Sequence, residues 1–130
     1  MLTCEDLLTD IFTWRQQYCH LHCYIASDFN ANLNDTDNAI VKCINNFICF
    51  FLSLSHADLL FPDVGNFTYV NNSLQHYSYI DYMLTSCVAS IIDFTVCEPD
   101  VNFSDHLPIM STIVCKECFL ANGSSNAKRN

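Results

Sequence analysis

An acid and an imidazole stand side by side in the segment NFSDHLPI, residues 102–109, directly before an apolar stretch. The ordinary interpretation of its Ser-Asp-His triplet is a turn. Because histidine titrates near neutral pH and a carboxylate can support its protonated form, Asp105 and His106 could instead serve general acid–base chemistry. Which interpretation applies depends on the residues that the rest of the chain brings to this segment.

Other polar side chains also stand at or near the ends of apolar segments. Asp28 and Asn30 follow the segment LHCYIA, where they could act in a site or simply form an Asx turn. Asp81 is less ordinary, because it lies between Ile80 and Tyr82 in an apolar strand-like segment. A buried carboxylate without a partner is costly, so we expect one close by, and a histidine is the natural candidate.

The elements that must position these residues follow from hydrophobic periodicity. Helical spacing predicts a first helix over residues 4–18 and a second through residues 38–52, capped by Thr36 or Asp37. Short apolar or alternating runs predict strands at 21–26, 58–61, 66–70, 77–86, 89–99 and 107–115. This order predicts an α/β fold in which a mixed sheet carries helices on one face. The other face of the sheet would be exposed to solvent or would be covered by a partner that this chain does not contain.

Composition limits the possible partners. The 130 residues suffice for one domain, and we expect the polar segment 119–130 to be a disordered tail. The net charge of −9, with only 5 Lys and Arg, argues against strong sequence-independent DNA binding by this chain alone. The longest unbroken apolar run, Phe47 to Leu52, is too short to span a bilayer, so no membrane segment is expected.

The nine cysteines are odd in number, and the N-terminus lacks a basic segment followed by an apolar one. We therefore expect an intracellular protein, nuclear or cytoplasmic and not secreted, with free, buried thiols rather than disulfides. A zinc site built from the Cys19–Cys23 and Cys115–Cys118 pairs is disfavoured, because no second close pair has finger-like spacing.

Three motifs together resemble the endonuclease/exonuclease/phosphatase superfamily. SDFNANL at residues 27–33 is similar to its GDFN signature, and the segment 66–86 contains a Thr-aromatic stretch followed by IDYML. VCEPDVNFSDHLPI, residues 96–109, is similar to its terminal SDH motif. The likeness is greatest to the endonuclease domains of non-LTR retrotransposons, which a reverse transcriptase follows. It implies the C-terminal half of a two-sheet α/β sandwich, with residues 1–118 forming a partial domain.

The resemblance implies hydrolysis of DNA phosphodiester bonds with Mg²⁺ or Mn²⁺. In it, Asp28 would activate the attacking water, and Asn30 would donate to the phosphate oxygens. Asp105 would be the metal ligand. His106 would bind or protonate a phosphoryl oxygen, with Asp81 fixing its tautomer.

Nothing before Asp28 matches the family's first half, which carries its Asn motif and metal-binding Glu. We therefore expect the chain alone to bind the ion weakly and to be inactive without that half. An exposed apolar sheet face could support self-association. Two alternatives are a non-catalytic interaction module, in which Asp81–His106 is structural, and a phosphoesterase acting on phosphoinositide-like head groups.

Overall fold

A computed structural model describes residues 4–61 and 65–115. This part of the chain contains two α-helices and seven strands, six of which follow the second helix, and the strands form three small antiparallel sheets. The helices are α1 (Cys4–Gln17) and α2 (Ala39–Asn46). The strands are β1 (Tyr24–Asp28), β2 (Ser55–His56), β3 (Tyr69–Asn71), β4 (His76–Ser78), β5 (Asp81–Thr85), β6 (Ile91–Val96) and β7 (Ile109–Ile113). The predicted α/β class is confirmed, but three antiparallel sheets replace the single mixed sheet.

The largest sheet has the order β1-β5-β2, and its central strand is the most buried. The β1–β5 register pairs Tyr24 with Thr85 and Asp28 with Asp81. Tyr82 and Leu84 of β5 are at most 1% exposed and belong to the apolar core. β1 pairs with the whole of β5, whereas β2 pairs only with Leu84 and Thr85, so Asp81 at the start of the strand is less buried than the residues that follow it.

The other two sheets are hairpin-like pairs. β3 pairs with β4, with Val70 opposite Tyr77. β6 pairs with β7, with a bulge between Ile91 and Asp93. No continuous ladder of described strands joins the three sheets, and Ile91 and Phe94 of β6 pack in the same core cluster as Tyr82 of β5.

The helices differ in detail from the prediction. α1 ends at Gln17, close to the predicted end. The cap of α2 is Asn38, whose Oδ1 accepts hydrogen bonds from the N–H groups of Ile40 and Val41, so the prediction of Thr36 or Asp37 was wrong by one or two residues. A π-helical turn at Phe47–Phe51 follows α2.

The predicted strand over 77–86 is two strands in two different sheets. At the break, Thr68 Oγ1 accepts hydrogen bonds from the N–H groups of Ile80 and Asp81, at 3.1 and 3.0 Å. A side-chain hydroxyl thus takes the place of a strand neighbour, and the chain leaves one sheet for the next. Alternation in the sequence shows the strands but not this break.

The predicted strand at 58–61 was also wrong. Asp58–Leu60 form a 3₁₀ turn closed by the hydrogen bond from Leu60 N–H to Ala57 C=O. Leu59 is 70% exposed, and Phe61 at the end of this run packs against the core. The turn instead places Asp58 next to His56 at the end of β2.

Cysteine burial was overestimated. Cys19, Cys43 and Cys49 are exposed thiols, and Cys23, Cys87 and Cys97 are half-buried thiols. They are therefore not the small core residues that the prediction made them. The predicted tail, 119–130, lies outside the described residues. No described helix combines the length and the apolarity needed to cross a membrane.

Candidate functional site

The register of β1 on β5 brings two acids to one place. Asp28, the last residue of β1, lies directly opposite Asp81, the first residue of β5. Directly opposite residues of an antiparallel pair project from the same face of the sheet, where two like charges repel each other. A cation between the two carboxylates would remove this penalty.

The imidazole of His106 lies against both carboxylates. Its Nδ1–H donates to the carboxylate of Asp81, with distances of 3.0 Å to Oδ2 and 3.2 Å to Oδ1. Its other ring nitrogen, Nε2, lies 3.9 Å from Oδ2 of Asp28. The hydrogen bond that His106 donates to Asp81 is the main cause of its raised pKa, and the negative charges of Asp28 and Asp105 raise that pKa further. The partner expected for Asp81 is therefore present.

The loop that carries His106 is held by its own side chains. Asn102 Oδ1 accepts from Ser104 N–H, and Ser104 Oγ accepts from His106 N–H. Asn102 also donates through Nδ2 to the carbonyl of His106. The Ser-Asp-His triplet is thus a turn, as its ordinary interpretation predicted, and the turn aims the imidazole at the two acids.

Two backbone hydrogen bonds dock this loop on β3. Val70 N–H donates to Asp105 C=O at 2.8 Å, and Leu107 N–H donates to Thr68 C=O at 2.6 Å. Thr68 is fully buried and also accepts from Asp81 N–H through its hydroxyl. One buried threonine therefore fixes both partners of the Asp81–His106 pair. The sequence analysis did not predict this role.

Asp28 and Asn30 form the Asx turn that the sequence allowed as one of two interpretations. Asn30 N–H donates to Asp28 Oδ1 at 2.6 Å, and Asn30 has a left-handed φ of 51°. This bond occupies Oδ1 and leaves Oδ2 directed toward His106. Asp28, Asn30 and His106 line one open cleft of about 450 Å³, together with Tyr69 and His76 of the β3–β4 pair. The turn and a site role are compatible.

A divalent cation was expected here, so the donors must be compared with its needs. Asp28, Asp81 and His106 offer ligand atoms that all lie within 4.8 Å of one another. Among the described residues this is the one such group, and the expected ligand Asp105 is outside it. Asp81 is already engaged with the imidazole. The remaining donors fit an ion that keeps most of its waters, as Mg²⁺ does, and predict weak binding.

A second histidine–aspartate pair escaped the sequence analysis. His56 Nδ1 lies 4.0 Å from Asp58 Oδ1, and both side chains are only 8% exposed. His56 Nε2 contacts Asn45 Oδ1 at 3.1 Å, and its ring packs edge-on against Tyr82. Burial lowers the pKa of His56 and raises that of Asp58. The sequence signal for this pair was the short spacing of His56 and Asp58 in the segment HAD, and such spacing is common in turns.

Comparison with known proteins adds no family to this geometry: no protein-family model matches the chain, and no curated protein matches it significantly.

Proposed function

We propose that the chain is the C-terminal part of a divalent-metal-dependent phosphodiesterase that hydrolyses DNA, of the endonuclease/exonuclease/phosphatase type and closest to retrotransposon endonucleases. The observation that carries the proposal is the convergence of Asp28, Asp81 and His106, three residues from three separate motifs. Motifs that merely resembled the family by chance would have no reason to meet in one cleft. The two-sheet sandwich of that family is part of the same proposal.

The chemistry follows from the two ring nitrogens of His106. Asp81 accepts a hydrogen bond from Nδ1–H and keeps the ring oriented, so Nε2 faces the cleft. The raised pKa favours the imidazolium, whose Nε2–H can donate to a phosphoryl oxygen as negative charge develops there. In the described part of the chain, Asp28 Oδ2 has no hydrogen bond, and its contact with Nε2 of His106 is 3.9 Å long. This oxygen would take a proton from the attacking water.

Asn30 lies on the rim of the same cleft, where its amide can donate to a phosphate oxygen. Asp28 would be an oxygen ligand of a divalent cation, whereas Asp105, the ligand that the resemblance implies, lies outside the Asp28–Asp81–His106 group. Such an ion would neutralise phosphate charge and help to orient the scissile group. A fragment with so few free ligands would bind it weakly, and the acidic chain would bind DNA weakly without the other half of the domain.

Self-association belongs to this proposal as well. Ile92 on β6 and Met110 on β7 are 59% and 58% exposed. Such exposed apolar side chains would be covered in a complete two-sheet domain. In the isolated chain they would favour contacts between copies.

The site can be tested without activity. Manganese(II) broadens NMR signals of nuclei near it, so ¹H–¹⁵N spectra recorded with up to about 1 mM Mn²⁺, the range of weak sites, should lose the signals of Asp28, Asn30 and His106 first. Asp28→Asn should abolish this selectivity. Asp93→Asn, which removes an exposed acid on β6, is the matched control and should leave it intact. Uniform broadening across the surface would rule out a metal site.

Catalysis needs a separate assay. Supercoiled plasmid is incubated with Mg²⁺ or Mn²⁺ and each protein, and relaxed circles are measured. Any nicking by the chain should disappear in His106→Ala and Asp28→Ala and persist in Asp93→Asn. Equal nicking by all four proteins would show that a contaminant cleaves the DNA and would remove the support for a catalytic His106.

A further inference from the structure

A second opening lies away from the proposed catalytic cleft. It is a groove of about 830 Å³ between α1 and the start of β1, here called the α1–β1 groove. Its walls are mostly apolar: Leu7, Ile11, Trp14, Tyr18, Leu21 and Ile25 line it. Trp14 is 70% exposed and Leu7 53%, so this side of α1 faces solvent instead of the core. The apolar lining alone does not identify an occupant.

The strand β1, which forms one wall of the groove, indicates what kind of occupant fits. β1 is at the edge of its sheet, and no described strand pairs with its other side. Cys23 C=O and Phe29 N–H bond toward β5, at 3.0 and 2.8 Å. Backbone direction alternates along a strand, so Tyr24, Ala26 and Asp28 present their N–H and C=O groups to the open edge. An open edge of this kind is a template for another strand.

Two charged residues, Asp10 and Arg15, line the groove. Arg15 is half-buried in α1, and its Nε–H donates to the carbonyl of Leu52 at 3.1 Å. Its Nη1 is buried and has no hydrogen-bond partner among the described residues, so the guanidinium retains bonding capacity. A carboxylate is the acceptor that matches a guanidinium best, and one that enters the groove would meet the part of Arg15 that lines it.

We propose that the α1–β1 groove binds an extended peptide strand of another protein, which pairs with the open edge of β1 and directs an acidic side chain to Arg15. The backbone groups of Tyr24 and Ala26 hold the strand, the apolar wall receives alternate side chains, and Arg15 selects the acid. A second copy of the chain is a poorer occupant, because two chains of net charge −9 repel each other. This inference does not depend on the proposed catalysis.

The chain supplies its own reporter, since Trp14 is its one tryptophan and lies in the groove. The probes are acetylated, amidated heptapeptides that alternate threonine with valine, with one valine replaced by glutamate at the second, fourth or sixth position. At least one should change Trp14 fluorescence saturably at or below about 1 mM. Its glutamine counterpart should bind about tenfold more weakly, as should Arg15→Gln with the glutamate peptide.

Ala26→Pro tests strand pairing. The N–H of Ala26 points to the open edge, so proline there removes no bond to β5, and proline is tolerated on edge strands. This variant should keep the wild-type thermal unfolding and lose peptide binding. A glutamate peptide that is N-methylated at alternate residues should lose it too, because it cannot form the ladder.

Decanoate is the matched ligand without a peptide backbone. Binding of decanoate but of no peptide, or peptide binding that Ala26→Pro leaves unchanged, would show a pocket for amphipathic anions and overturn the strand proposal. Equal affinities for the glutamate and glutamine peptides would overturn the role of Arg15. Absence of a fluorescence change with every peptide would overturn the proposal as a whole.

Discussion

Two histidine–aspartate pairs in the described part of the chain, His106–Asp81 and His56–Asp58, behave in opposite ways. In the His106–Asp81 pair the ring and the carboxylate are hydrogen-bonded at 3.0 Å, and the ring is one-third exposed in an open cleft. In the His56–Asp58 pair the closest charged atoms are 4.0 Å apart and both side chains are buried. The pKa of the first histidine is raised and that of the second is lowered. The same two residue types therefore favour the protonated ring in one place and the neutral ring in the other.

The difference lies in what surrounds each ring. For His106, contact with a carboxylate outweighs a modest loss of solvent. For His56, burial outweighs the more distant charge of Asp58, and the ring packs on Tyr82 in the core. A histidine beside an acid is thus a site candidate only when the contact is close and the ring remains accessible. His56 is better understood as a polar core residue held by Asn45.

Removing each ring should show the largest contrast. His56→Ala deletes a buried ring and leaves a cavity beside Tyr82, and should lower the free energy of unfolding by about 2–3 kcal/mol. His106→Ala removes a partly exposed ring and should cost less than about 1 kcal/mol. Urea unfolding followed by Trp14 fluorescence measures both. Equal losses would show that the His106 pair is as structural as the other one.

The pH dependence of stability should separate the pairs with opposite signs. The pKa of His106 lies above its unfolded value of about 6.5, so its contribution is complete below pH 6.5 and is lost as the pH rises through the folded pKa. The pKa of His56 lies below its unfolded value, so the chain loses stability as the pH falls from about 6.5.

Asp81→Asn removes the main cause of the His106 shift. The unfolding free energies of this variant and of the wild type are measured between about pH 5.5 and 8.5, on both sides of the ordinary histidine pKa of about 6.5. Their difference should isolate the pH dependence of stability that His106 contributes. Histidine NMR titrations of the wild type should place His106 above 6.5 and His56 below it. If the two midpoints coincide, the comparison between the pairs fails.

The smallest effect is the position of one proton. Asp81 accepts from Nδ1, so neutral His106 should carry its proton there. Asn45 Nδ2 donates to Leu33 C=O, which turns its Oδ1 to His56 and places the His56 proton on Nε2. Long-range ¹H–¹⁵N spectra at high pH distinguish these tautomers. Two rings with the same tautomer would contradict one of the two hydrogen-bond assignments.

The sequence predicted the helices and strands better than it predicted which of them become neighbours. The periodicity in α1 and the misplaced acid at position 81 were local signals, and each pointed to what the structure contains. The break that separates β4 from β5 was not predictable, because it depends on Thr68, twelve residues earlier in the chain. The pairing of His56 with Asp58 and the open side of β1 likewise depend on which strands become neighbours, and no local pattern records that.

The contacts of Thr68 imply an order of assembly. Its hydroxyl reaches Asp81 N–H within a short loop, whereas its carbonyl reaches Leu107, almost forty residues away along the chain. Closing the short loop costs less entropy, so the Thr68–Asp81 contact should form earlier in folding. During synthesis from the N-terminus, residue 81 also emerges before residue 106. The carboxylate is therefore fixed first, and the imidazole arrives at an acceptor that is already in place.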